Sequence, residues 1–119
     1  MILKDIHYDQ LRSAYRSIKD TRRRLQEMLS AADKEVSKYY HELEKKDINE
    51  LHYETFLTGL QKELRKRRVI KEELRGIQVI YLTTKETIEN LNESLQRANK
   101  RSEKIKEQLN TDMTIYEVL

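Results

Sequence analysis

The stretch YDQLRSAYRSIKDTRRRLQEMLSAADKEVSKYYHEL, Tyr8 to Leu43, decides the fold. Its apolar seam reads Tyr8, Leu11, Tyr15, Ile18, Leu25, Leu29, Ala32, Val36, Tyr39 and Leu43, with Arg22 as the one polar entry. The steps alternate between three and four. A repeat averaging about 3.5 residues holds a single stripe on one side of an α-helix, and that stripe must be buried against another helix. The chain of 119 residues has no proline to interrupt the pattern and only two glycines, Gly59 and Gly76. An all-α fold follows, because a sheet protein of this length would need more turn residues.

Composition agrees. Hydrophobic residues make up 37% and charged residues 38%, lean for a globule but normal for long helices with a narrow buried stripe. The length fits one domain, residues 1–119. No apolar run approaches the ~20 residues of a membrane span, and the N-terminus lacks a signal-peptide core, so a cytoplasmic location is expected. The absence of cysteine excludes disulfides and thiolate metal sites.

The first helix is expected from about Asp9, as N-cap, to Lys46. Asp47 to Asn49 form the turn, where Asp47 and Glu50 are spaced as a capping box. A second helix then runs from about residue 50 to 110, followed by an apolar tail, 111–119. Antiparallel helices joined there bring together residues whose numbers sum to about 96. Leu43 then faces Tyr53, Tyr39 faces Leu57, Val36 faces Leu60, Ala32 faces Leu64, Arg22 faces Leu74, Tyr15 faces Tyr81 and Tyr8 faces Ile88. In the middle the match fails, with Leu29 and Leu25 opposite Arg67 and Lys71. Beyond that the seam follows a register displaced by one, from Ile70 and Leu74 through Ile77, Tyr81 and Ile88 to Leu109. Such a skip would be absorbed by local unwinding or a bend near Gly76.

The first helix is used up opposite residue 88. Ile88, Leu91, Leu95, Ala98, Ile105 and Leu109 therefore form an oligomer seam, if the second helix is continuous. The alternative is a three-helix bundle, with a break near residue 82 capped by Thr83 and Glu86.

The net charge of +3 is small, but residues 61–75 hold seven basic and three acidic side chains. Arg65, Arg67, Arg68 and Lys71 lie beside Arg22, Arg23 and Arg24 in the hairpin. This basic patch would bind an acidic face of a protein partner or, as an alternative, nucleic-acid phosphates. A solvated face laced by the i,i+4 pairs Asp20–Arg24, Arg23–Glu27, Glu63–Arg67 and Arg68–Glu72 is the third reading. Tyr40, His41, His52 and Tyr53 form a second candidate contact surface at the hairpin tip. His41 and His52 are not spaced as metal ligands, so no metal or cofactor is expected. The serines lack a His/Asp arrangement and there is no glycine-rich phosphate loop, so the protein is read as non-enzymatic.

The string LHYETFLTGLQKELRKRRVIKEEL, Leu51 to Leu74, resembles a segment of small uncharacterised helical proteins from bacteriophages of Gram-positive bacteria. The matching positions are Leu60, Leu64, Arg65, Arg67, Arg68, Lys71 and Glu72. The resemblance implies a phage-type accessory protein that modulates or inhibits a host protein, with anti-defence as one such duty. It carries no binding residues over. In outline the hairpin is also similar to export-apparatus stalk proteins and prefoldin-like chaperones, which implies a structural or chaperone-like coiled coil as a further alternative.

Overall fold

A computed structural model describes residues 3–46 and 52–119. The fold is an all-α antiparallel helical hairpin. Helix α1 spans Leu3–Lys45, α2 spans Tyr53–Leu109 and a four-residue helix α3 spans Ile115–Val118. Each long helix has acid in its first turn (Asp5, Glu54) and base in its last (Lys45, Lys106), matching the helix macrodipole at both ends. The expected turn, with Asp47, Asn49 and Glu50, lies outside the described residues.

Two expected boundaries move. Helix α1 begins at Leu3, so Asp9 is helix interior and not its cap. The six additional residues are held by α2: the Tyr8 hydroxyl donates to Asn92 Oδ1 at 3.3 Å, and Lys4 Nζ donates to Asn99 Oδ1. Helix α2 is continuous through residue 82, which removes the three-helix alternative. Thr83 caps nothing; its carbonyl accepts the Thr87 hydroxyl at 2.8 Å inside the helix.

Contacts group the chain into two compact units, Met1–Ile18 with Ile80–Leu119, and Lys19–Val79. The second unit holds the buried apolar residues among those described, Ala32, Val36, Phe56 and Ile70. Here α1 presents the expected stripe and α2 does not. Along α2 the stripe Phe56, Leu60, Glu63, Arg67, Ile70, Leu74 and Ile77 is buried or half-buried, with Gly59 and Gln78 half-buried beside it, while Tyr53, Leu57 and Leu64 are exposed. The steps from Phe56 onward alternate between four and three without interruption. No register is skipped near Gly76; the heptad simply admits two charged residues. The end of the α1 stripe also changes, since Leu43 is exposed.

Polar pairs make those entries tolerable. Arg67 bonds across the helices to Asp33, not to Glu63 one turn back. Arg22 Nε donates to Gln78 Oε1 at 2.6 Å. Tyr39 meets Phe56 edge-on, ring centroids 5.5 Å apart.

In the other unit the seam is only half-buried. Tyr15 stacks on Tyr81, as the mirror pairing expects, with centroids 5.7 Å apart and planes 18° from parallel. Ile88, Leu91 and Leu95 are half-buried, because α1 reaches as far as Asn99. They are therefore not part of an uncovered seam. Leu11 is exposed. Helix α2 ends in a Schellman motif: Asn110 takes φ 51°, its N–H donates to the Glu107 carbonyl and the Thr111 N–H to the Lys106 carbonyl. The chain then turns back, so the tail is not featureless, and α3 borders a groove with Leu3 and Ser102.

The two glycines differ in a way that stability can report. A Cβ at Gly59 would lie 3.0 Å from Tyr39 Cζ and closer still to the hydroxyl, whereas one at Gly76 would have nothing within 4 Å. Alanine at Gly76 should stabilise by about 1 kcal/mol through helix propensity. Alanine at Gly59 gains the same propensity but displaces a ring packed on Phe56, and should be net destabilising by about 1 kcal/mol. Thermal melts of the two variants would move in opposite directions; parallel shifts would mean that Tyr39 does not pack on Gly59.

Candidate functional site

The basic patch expected from sequence is only partly assembled. Of its seven residues, Arg67 bonds to Asp33, Arg23 lies 3.5 Å from Asp20 and Arg68 lies 3.4 Å from Glu72. Only the last of the four expected i,i+4 pairs forms. Arg24 and Arg65 are exposed and have no ion pair among the described residues.

Arg22 and Lys71 come together. They line a groove of about 390 Å³ in the unit Lys19–Val79, with Gln26, Leu29, Leu74, Arg75 and Gln78. The origin of this grouping is helical geometry. Lys71, Arg75 and Gln78 follow one side of α2 at steps of four and three, and Arg22 and Gln26 lie one turn apart on α1. Arg75 was missed by the sequence reading, although it stands one turn after Lys71 and that spacing was available as a signal. Its guanidinium lies 3.8 Å from Glu72, a loose exposed pair that leaves its donors largely to solvent. Arg22 is held by Gln78, which fixes its guanidinium within the seam.

The lining thus holds three cations, two carboxamides and two leucines, and no carboxylate. Guanidinium forks and an ammonium suit planar or tetrahedral oxyanions, and the leucines offer an apolar floor beside them.

The four hairpin-tip residues, Tyr40, His41, His52 and Tyr53, are all exposed. His41 Nδ1 lies 3.7 Å from Glu44. His52 alone lines a separate groove with Tyr39, Phe56 and Glu42. On its rim Lys38 Nζ donates to Glu35 Oε1 at 2.9 Å. That bond lowers the Glu35 carboxyl pKa below its ordinary value and raises that of Lys38. Among the described residues no three His, Asp or Glu side chains converge as metal ligands. Nor is any helix among them long and apolar enough to cross a membrane.

Compared with known protein families, curated proteins and solved structures, the chain matches none. The site's chemistry therefore rests on its own residues.

Proposed function

We propose that the protein is a non-enzymatic binding module that holds an acidic segment of a partner protein in the groove of Arg22, Lys71 and Arg75. The observation that carries this reading is the lining itself: three cations and two carboxamides around Leu29 and Leu74, without a carboxylate. An amphipathic acidic segment satisfies both parts, with carboxylates on the cationic rim and apolar side chains on the floor. The phage resemblance adds a direction to this reading, namely that the partner is a host protein whose activity is modulated or inhibited.

Nucleic acid is the second reading. Arg24 and Arg65 favour it, since both are exposed without an ion pair among the described residues and could extend phosphate contacts beyond the groove. A structural or chaperone-like coiled coil would need no groove at all.

The double variant Lys71→Glu, Arg75→Glu tests these readings. Both side chains are exposed, so folding should survive. Capture of an acidic protein from host lysate should weaken roughly tenfold or more, as expected for reversing two contact charges. Retention on heparin with a steep salt slope, lost in Arg24→Ser, Arg65→Ser, would support nucleic acid instead. Capture unchanged by the charge reversal would remove the groove from the account.

A further inference from the structure

Every residue from Gln96 to Leu119 is exposed, yet the heptad of α2 does not stop at Leu95. It continues through Ala98, Ser102, Ile105 and Leu109 at steps of four, three and four. From Phe56 to Leu95 the same positions are buried or half-buried against α1 within this chain. The N-terminal turn of α1 reaches Asn99 through Lys4, and Leu3, its first described residue, borders the same groove as Ser102. Ile105 is left 44% exposed and Leu109 68%. Helix α3 folds back without closing this stripe: Met113 and Val118 line an open groove with Ser102 and are themselves 52% and 67% exposed.

We infer that these last heptads are a docking surface for a second copy of the chain, packed antiparallel about a two-fold axis between Ser102 and Ile105. Continuity with the intramolecular seam is the first argument, because the same heptad that binds α1 continues on an exposed face at Ala98, Ile105 and Leu109. Size complementarity is the second. Antiparallel pairing places Ala98 opposite Leu109 and Ser102 opposite Ile105, so each layer joins a small side chain to a large one. An isologous contact repeats both layers by symmetry. Charge decides the direction. Parallel pairing would set Arg101 against Lys106 of the other copy, whereas antiparallel pairing sets Arg101 against Gln108 and Lys106 against Asn99. Four layers make a small interface, so association in the micromolar range is expected, with a monomer at high dilution.

This surface lies outside the unit that holds the basic groove, so the two proposals fail separately. The full chain should show a light-scattering mass rising from 14.4 kDa toward twice that value with concentration. Ile105→Glu, Leu109→Glu should hold it at the monomer mass with an unchanged circular dichroism spectrum. Orientation can be read by disulfides, since the chain has no cysteine and any bridge must join two copies. A mixture of Ser102→Cys and Ile105→Cys chains should oxidise preferentially to the mixed dimer. Preferential 105–105 bridging would indicate parallel pairing, and a monomer mass at every concentration would mean that no second copy docks; either result overturns the inference.

Discussion

Truncating Ile70 to alanine should lower the unfolding free energy by about 2–4 kcal/mol, and truncating Phe56 by about 3–4 kcal/mol. Leu57→Ala and Leu64→Ala should each cost less than about 1 kcal/mol. The contrast follows from burial: Ile70 and Phe56 are 5% and 8% exposed, whereas Leu57 and Leu64 are 42% and 37% exposed. Phe56 also loses its edge-on contact with Tyr39, whose ring would border the cavity it leaves. Among the described residues the buried apolar set is Ala32, Val36, Phe56 and Ile70, so the loss falls on a core with little reserve. Denaturant midpoints at constant m-value would measure it. If the leucine variants lost as much as the Ile70 variant, α2 would sit in the register of its leucine stripe, and the pairing of Arg67 with Asp33 would be wrong.

That register is also where reading the sequence went astray. The stripe of α1 was legible because its apolar residues are the ones that face α2: Tyr8, Tyr15, Ile18, Leu25, Leu29, Ala32, Val36 and Tyr39 are all buried or half-buried. In α2 the more apolar stripe, Tyr53, Leu57, Leu60 and Leu64, competes with the true one, Phe56, Leu60, Glu63 and Arg67. Hydropathy favours the first. What selects the second is a pattern of cross-helix partners that lie far apart in sequence, Asp33 for Arg67 and Tyr39 for Phe56. A one-dimensional pattern carries no record of them. The start of α1 was misplaced for a similar reason, because Lys4 and Tyr8 are helical through contacts with Asn99 and Asn92.

The site shows the same division. Clustered basic residues were visible as composition, but a helix disperses neighbours around its circumference, so Arg22, Arg23 and Arg24 cannot share one face. Only Arg22 joins Lys71 at the groove, and the run Arg65 to Arg68 supplies nothing to its lining. Spacing by three and four would have chosen Lys71, Arg75 and Gln78 over the consecutive arginines.

Replacing Glu63 by leucine should stabilise the protein by about 2 kcal/mol, the opposite of what a substitution in a packed seam usually does. Glu63 occupies a position between Phe56 and Ile70 in the heptad, and it lines a groove with Ala32 and Met28. One carboxylate oxygen, Oε2, is shielded from water and accepts no hydrogen bond. Its nearest sequence candidate for a salt bridge, Arg67, is engaged by Asp33. Desolvating a carboxylate oxygen without a donor costs on the order of 1–3 kcal/mol, and a leucine there would add apolar burial against Ala32 and Ile70. Glu63→Gln separates the two contributions. It removes the charge but leaves a polar group in the seam, so its gain should be smaller than that of leucine. A Glu63→Leu protein less stable than wild type would mean that the carboxylate has a donor, and that the charged layer at Glu63 and Arg67 holds the helices in place by attraction. The predicted order, leucine above glutamine above glutamate, instead makes the layer a cost the fold carries. Its role would then be specificity: an uninterrupted apolar seam would tolerate the competing leucine register, whereas Arg67 finds Asp33 in only one alignment of the two helices.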